Sequence, residues 1–195
     1  MHVTMCDYLL ELVHNAVESG ADVVDLQVVE SSKGLTGIVT DDGCGMTPEQ
    51  LQVCRNPYAT AAGKHPRRRA GLGLSLLDHL LKDTGGRLVI SSMPGKGTRV
   101  TARFNGRNID TPPVGDLVDF FLCALCFHGG HELRIERRLM PADGAPVNGY
   151  RLSRREIREA LGDLEDITSL TALRRFLRQK EDACRCRVYC PTCVN

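Results

Sequence analysis

The stretch M-C-D-Y-L-L-E-L-V-H-N-A-V-E-S-G at residues 5 to 20, taken with D-D-G-C-G-M at 41 to 46, decides the fold. Leu9, Leu12, Val13, Ala16 and Val17 recur at helical spacing on one face, while Asp7, Glu11, Asn15 and Glu18 occupy the other. The spacing predicts an amphipathic helix over 5–18, stopped by Gly20. Two β-branched runs come next, at 22–30 and 36–40, and the second ends directly in the glycine box. A glycine-rich turn at a strand end behind an amphipathic helix predicts an α/β layer with a ligand site at its rim.

Downstream, Thr47 and Pro48 open a short helix over 47–54, with Thr47 as its cap. The segment N-P-Y-A-T-A-A-G-K-H-P-R-R-R from residue 56 is small, polar and basic, which predicts a mobile loop. A second helix is expected over 72–84, with Leu72, Leu76, Leu77, Leu80 and Leu81 as its apolar stripe and Gly85-Gly86 as its stop. Strands at 87–91 and 98–104, joined by P-G-K-G, close the unit. The composition shifts at 105–113, through N-G-R-N and T-P-P, and a domain boundary is placed there. Beyond it the pattern predicts a helix at 114–127, strands at 132–139 and 148–152, and helices at 153–161 and 168–181, with Ser153 and Glu156 forming a capping box. The expected organisation is therefore a domain at 1–105, a small α+β domain at 113–181 and a Cys-rich tail at 182–195.

With 25 basic against 24 acidic residues in 195, the chain has no global field to draw it to nucleic acid or an anionic membrane. No run approaches the length of a membrane span, and the N-terminus lacks a basic-then-apolar signal. A soluble, cytoplasmic protein is expected. Nine cysteines, an odd number scattered through a chain of this length, are read as reduced thiols rather than a disulfide scaffold.

The motifs point to nucleotide chemistry. Glu11 and Asn15 stand four apart on one helical face and can address one ligand, the carboxylate as base and the amide as a Mg²⁺ ligand. In D-D-G-C-G-M, Asp41 precedes the first of two spaced glycines, Gly43 and Gly45, by two residues; its carboxylate can accept from an exocyclic amine. Gly71 and Gly73 come just before or at the start of a helix, where free N–H groups favour phosphate. Lys64, Arg67, Arg68 and Arg69 supply cations able to close over a polyphosphate. Neither G-x-x-x-x-G-K-[ST] nor G-x-G-x-x-G is present, which removes the main support for phosphate-loop and dinucleotide folds.

In this order the motifs resemble those of the histidine-kinase-like (GHKL) ATPase superfamily, over about residues 5–104. The resemblance implies a Bergerat-type two-layer α/β sandwich, helices on a mixed sheet, carrying here a small C-terminal α+β domain. It implies Glu11 as general base and Asn15 as the ligand of ATP-bound Mg²⁺. It further implies ATP contacts from Asp41, Gly43, Gly45, Met46, Tyr58, Lys64, Gly71, Leu72, Gly73, Leu74 and Thr98, with Asn56, Pro57 and Tyr58 in a lid. Arg69 stands where members often carry a further glycine. Only ten residues precede Glu11, so the phosphoacceptor hairpin of a sensor kinase is not expected, and His14 is read as part of the helix. The segment N-I-D-T-P-P-V-G-D-L and the small C-terminal domain, to about residue 181, resemble stand-alone ATP-binding proteins encoded beside iron-iron hydrogenase and NADH-oxidoreductase subunits, which implies a redox-enzyme partner.

Cys184, Cys186, Cys190 and Cys193 form C-x-C-x₃-C-x₂-C, a set that zinc or an iron-sulfur cluster could use, with a labile thiol tail as the alternative. Cys123 and Cys126 are expected to pack as buried thiols on an apolar helix. Two functions are carried forward: an enzyme that hydrolyses ATP or phosphorylates a partner protein in trans, and a non-catalytic module whose nucleotide state regulates or helps assemble a redox complex.

Overall fold

The structure, a computed structural model, describes residues 3–55, 72–140 and 147–189. Six strands form one mixed sheet, β1 (Val23–Ser31), β2 (Gly34–Asp41), β3 (Arg87–Met93), β4 (Gly97–Arg103), β5 (Glu132–Met140) and β6 (Asn148–Ser153), in the order β3-β4-β2-β1-β5-β6. All neighbours are antiparallel except β1 and β5, which run parallel with Leu26 opposite Ile135. The helices are α1 (Met5–Glu18), α2 (Pro48–Arg55), α3 (Leu72–Asp83), α4 (Leu117–Leu125), α5 (Arg154–Leu161) and α6 (Ile167–Tyr189). Helices on a mixed sheet is the α/β architecture expected.

Each strand divides its side chains by parity. Val24, Leu26 and Val28 of β1, Leu35 and Val39 of β2, and Leu133 and Ile135 of β5 are buried against the helices. α1 starts at a Thr4–Asp7 capping box and buries Leu9, Leu12, Val13 and Ala16. Its close seat on β2 depends on Gly37, where a Cβ would lie 2.2 Å from Leu9 Cδ2. Any side chain there would overpack the core by roughly 1–3 kcal/mol.

Several expectations shift in detail. On α3 the burial falls on Leu74, Leu77 and Leu81, whereas Leu76, placed on the expected stripe, is 56 % exposed. α4 begins at Leu117 rather than 114, because Gly115 sits at φ +88° and Asp116 caps the helix through Val118 and Asp119 N–H. Seven of the nine residues of α4 are buried, but Cys123 is on its solvent side and Cys126 is half-buried, correcting the expectation of two buried thiols.

The loop at 105–116 lies where composition shifts, and the sheet continues across it. β5 lies beside β1 along nine residues, and Leu133, Leu173 and Leu177 share a core with Leu9 and Leu26. α6 reaches Tyr189, so part of the stretch expected as a tail is helical. Its buried stripe, Ser169, Leu173, Leu177, Glu181 and Cys184, ends polar. There Glu181 accepts from Arg137 Nε at 3.1 Å and from the Tyr150 hydroxyl, while Arg137 also pairs with Glu30. Arg154 is buried as well and donates to the carbonyls of Leu125, Phe127, Gly129 and His131, fixing the loop between α4 and β5. No described helix is long and apolar enough to cross a membrane.

Candidate functional site

The carboxyl end of β2, the end of α1 and the β3–β4 turn converge on Asp41. This residue is 8 % exposed, and its Oδ1 accepts from Gly43 N–H (3.0 Å), Ser19 Oγ (3.2 Å) and Thr98 N–H (3.3 Å). Burial pushes its carboxyl above the usual carboxylate range, against the opposing pull of those three donors. Oδ2 accepts from no described residue, which leaves one acceptor for a ligand donor. Asp42, by contrast, is spent on structure: its Oδ1 accepts from Val23 N–H at 2.9 Å, at the start of β1.

The walls are tied by serines that carried no sequence signal. Ser92 Oγ accepts from Met46 N–H at 2.8 Å and lies 2.8 Å from Thr98 Oγ1, so it links the glycine box to β4. Ser19 reaches Asp41 from the end of α1, and its carbonyl accepts from Cys44 N–H at 3.1 Å. The glycines make these approaches sterically feasible. A Cβ on Gly43 would fall 1.8 Å from Ser19 Oγ; on Gly45, at φ +63°, 2.0 Å from Met93 O; on Gly97, at φ +83°, 1.9 Å from Asp41 O.

Glu11 and Asn15 stand on α1 as expected, one turn apart, with Glu11 exposed and Asn15 half-buried. α3 brings its first turn to the same place, since a Cβ on Gly73 would lie 3.6 Å from Glu11 Oε2. The first-turn N–H groups of a helix, which have no partner within the helix itself, therefore adjoin a carboxylate, an arrangement suited to a phosphate chain and the group that acts on it. Asn15 Nδ2 is buried with no hydrogen-bond partner among the described residues. Such a group costs about 1–3 kcal/mol; as a donor, Nδ2 would be satisfied by a phosphate oxygen, and Oδ1 is the Asn15 atom with the chemistry to ligate Mg²⁺.

Leu74 is 7 % exposed and packs in the core, so a ligand could reach it only through its backbone. Met46 is half-buried, packs on the core and lies 3.7 Å from Cys54 Sγ through its sulfur. Leu72 opens α3. Tyr58, Lys64 and Gly71, with Asn56, Pro57 and Arg67 to Arg69, lie outside the described residues, as do Cys190 and Cys193. Of the proposed thiol set, Cys184 is buried and Cys186 exposed on α6, and no metal-binding group of His, Cys, Asp or Glu occurs among the described residues.

The model of the histidine kinase-, DNA gyrase B- and HSP90-like ATPase family matches residues 3–108. The chain belongs to that family. Its ATPase domain thus covers α1 to β4 and carries the family's ATP-binding site. Similar curated proteins include the sensor histidine kinase ZraS of Escherichia coli O157:H7, 33% identical over 95 residues, 48% of this chain and 20% of that one. The histidine protein kinase DivJ of Caulobacter vibrioides is 40% identical over 82 residues, 40% of this chain and 14% of that one. The chain spans a fifth or less of the length of these two relatives. Among solved structures, the N-terminal domain of a DNA repair protein superposes with a TM-score of 0.56 at 15% identity, covering 82% of this chain and 57% of that one. That likeness supports the fold and extends it beyond the family match.

Proposed function

We propose that the chain is a Mg·ATP-dependent regulatory protein that hydrolyses ATP or transfers its γ-phosphoryl group to a partner protein. The observation that carries this reading is the 3.6 Å approach between Glu11 Oε2 and the Gly73 position at the start of α3. Phosphate held on that helix start presents its terminal group to Glu11, which accepts a proton from the attacking water or hydroxyl. Asp41 takes the exocyclic amine of adenine through Oδ2, and Thr98, tied to Ser92, closes the base side. Asn15 is the residue that would hold Mg²⁺, which when bound neutralises charge on the phosphates.

A specific observation favours a second reading, a nucleotide-gated module that acts through its C-terminal half; the redox complex as its target comes from the sequence resemblance. β5 is welded to β1 beside the ATPase core, so a surface on the C-terminal half is rigidly joined to the site. Both readings are tested by calorimetric titration with Mg·ATP and Mg·ADP, and then by phosphate release from the same sample. Glu11→Gln should leave the Kd for ATP within about twofold and lower turnover by roughly 10²–10⁴. Wild-type binding without turnover would sink the enzyme reading and keep the module; absence of binding would sink both.

A further inference from the structure

The sheet has a second face, turned away from the helices and from Asp41, and its two halves are charged differently. Around β1, β5 and β6 the arginines are answered by carboxylates: Arg134 lies 3.9 Å from Asp25, and Arg138 and Arg151 lie 2.8 and 2.9 Å from Glu136. On β3 and β4 the outward positions carry Arg87, Arg99 and Arg103, all exposed, with no carboxylate partner among the described residues. Arg87 and Arg103 are direct cross-strand partners, and Arg99 is pinned toward β2 by its Nη1 bond to Thr40 Oγ1 at 3.0 Å. Val89 stands between Arg87/Arg103 and Arg99, and Met93 lies just beyond Arg99; they are 43 % and 55 % exposed.

Two like charges directly opposite on a sheet face oppose folding. Charge on an edge strand is commonly a guard against stray strand pairing, which accounts for Arg87 on β3. It does not account for Arg99 and Arg103, because β4 lies inside the sheet between β3 and β2. An unpaired cationic row flanking exposed apolar side chains complements a ligand with carboxylates around an apolar centre.

We infer that the outward face of β3 and β4 is a docking surface for an acidic, apolar-centred segment of a partner protein. Val89 and Met93 take its apolar side chains, and Arg87, Arg99 and Arg103 take its carboxylates. A nucleic acid is the less complementary occupant: Asp25 and Glu136 stand farther along the same face, and no aromatic residue among the described residues of these strands offers a stacking surface there. The inference does not rest on the nucleotide reading, since it concerns the opposite side of the sheet.

The test uses the full chain and a fluorescein-labelled peptide alternating glutamate with valine, read by anisotropy, with a single-stranded oligonucleotide as competitor. Arg87→Ser/Arg103→Ser should weaken the peptide at least tenfold. Arg138→Ser/Arg151→Ser, the same change in charge on the paired half, should leave affinity within twofold. Peptide binding should weaken several-fold between 50 and 200 mM salt, as expected of screened contacts. The Arg87/Arg103 variant should melt no lower than wild type, because it loses a like-charge pair, and should titrate with ATP as wild type does. No peptide binding at millimolar concentration, equal loss in both variants, or an oligonucleotide that displaces the peptide at lower concentration and loses to the same substitutions would each overturn the inference.

Discussion

Asp41→Asn separates ligand reading from folding more cleanly than any other change at the site. All three protein donors bond to Oδ1, so an asparagine keeps them while replacing Oδ2 by an NH₂ group. The ligand's exocyclic amine would then meet a donor instead of an acceptor. Loss of one charge-assisted hydrogen bond is worth about 1.5–3 kcal/mol, which converts to roughly 10–150-fold in Kd. Folding should respond in the opposite direction. Because burial raises the folded-state pKa of Asp41, the protonated form is favoured in the fold. Its contribution to stability is present below the unfolded carboxylate range and is lost as pH rises through the higher folded value. At neutral pH the ionised, buried carboxylate thus costs stability, and Asn should melt at or above the wild-type temperature without nucleotide. Calorimetry with Mg·ATP and thermal melts at pH 4 and 7 read both effects, and the gain should shrink at the acid end. An unchanged Kd, or a large drop in melting temperature, would refute the assignment. Asp42→Asn should leave affinity alone, because Asp42 is bonded to Val23 N–H.

Arg137→Met would remove the buried cation of Glu181 and Glu30, leaving them only the part-exposed Arg185 at 3.6 and 3.3 Å, and should cost about 3–5 kcal/mol and on the order of 6–20 °C in Tm; urea denaturation checks it, and a neutral result would mean that Arg185 and solvent suffice for the network. Gly97→Ala should lower stability by roughly 2–5 kcal/mol, since the residue is at φ +83° and the added Cβ would meet Asp41 O at 1.9 Å; a near-neutral ΔΔG would contradict the geometry. Burial pushes the Cys6 thiol up to about 12 and raises Cys184, so at pH 8 iodoacetamide should label Cys44, Cys123 and Cys186 first, with Cys6 and Cys184 reacting only on unfolding. Mass spectrometry of timed digests decides this, and early modification of Cys6 would contradict its burial.

The ATPase half was legible because its information is local. Helical spacing placed α1 to the residue, and β-branched runs and glycine turns placed β1 to β4 within a few positions. The parallel pairing of β1 with β5 was not legible: it joins residues more than a hundred apart, and no short-range pattern encodes a partner strand. Arg137 did leave a trace. Leu133, Ile135, Arg137 and Leu139 alternate along β5, so a charge stood on an otherwise apolar stripe, the mark of a buried ion pair whose acids came from elsewhere in the chain. Ser19 and Ser92 left none, because a lone serine looks the same in a turn, on a surface or inside a hydrogen-bonded site. Leu76 went the other way: its helical spacing fitted the stripe, but the neighbours that decide exposure are not encoded in the helix itself.

The glycines show why a motif can locate a site and still misstate how it works. Gly43, Gly45 and Gly97 were read as room for a ligand or as turn formers, yet the contacts closest to their missing side chains are protein: Ser19, Met93 and Asp41. Their absence of a Cβ brings α1, the glycine box and the β3–β4 turn close enough for Asp41 Oδ1 to collect three donors. On the proposed reading, ligand complementarity falls to the groups left open among the described residues, Asp41 Oδ2, Asn15 Nδ2 and the start of α3 beside Glu11. Substituting a glycine must therefore weaken folding and binding together, whereas substituting an open group should weaken binding without lowering stability. If Gly97→Ala lowered affinity without lowering stability, the glycines would be touching the ligand after all, and this division between scaffold and reader would be wrong.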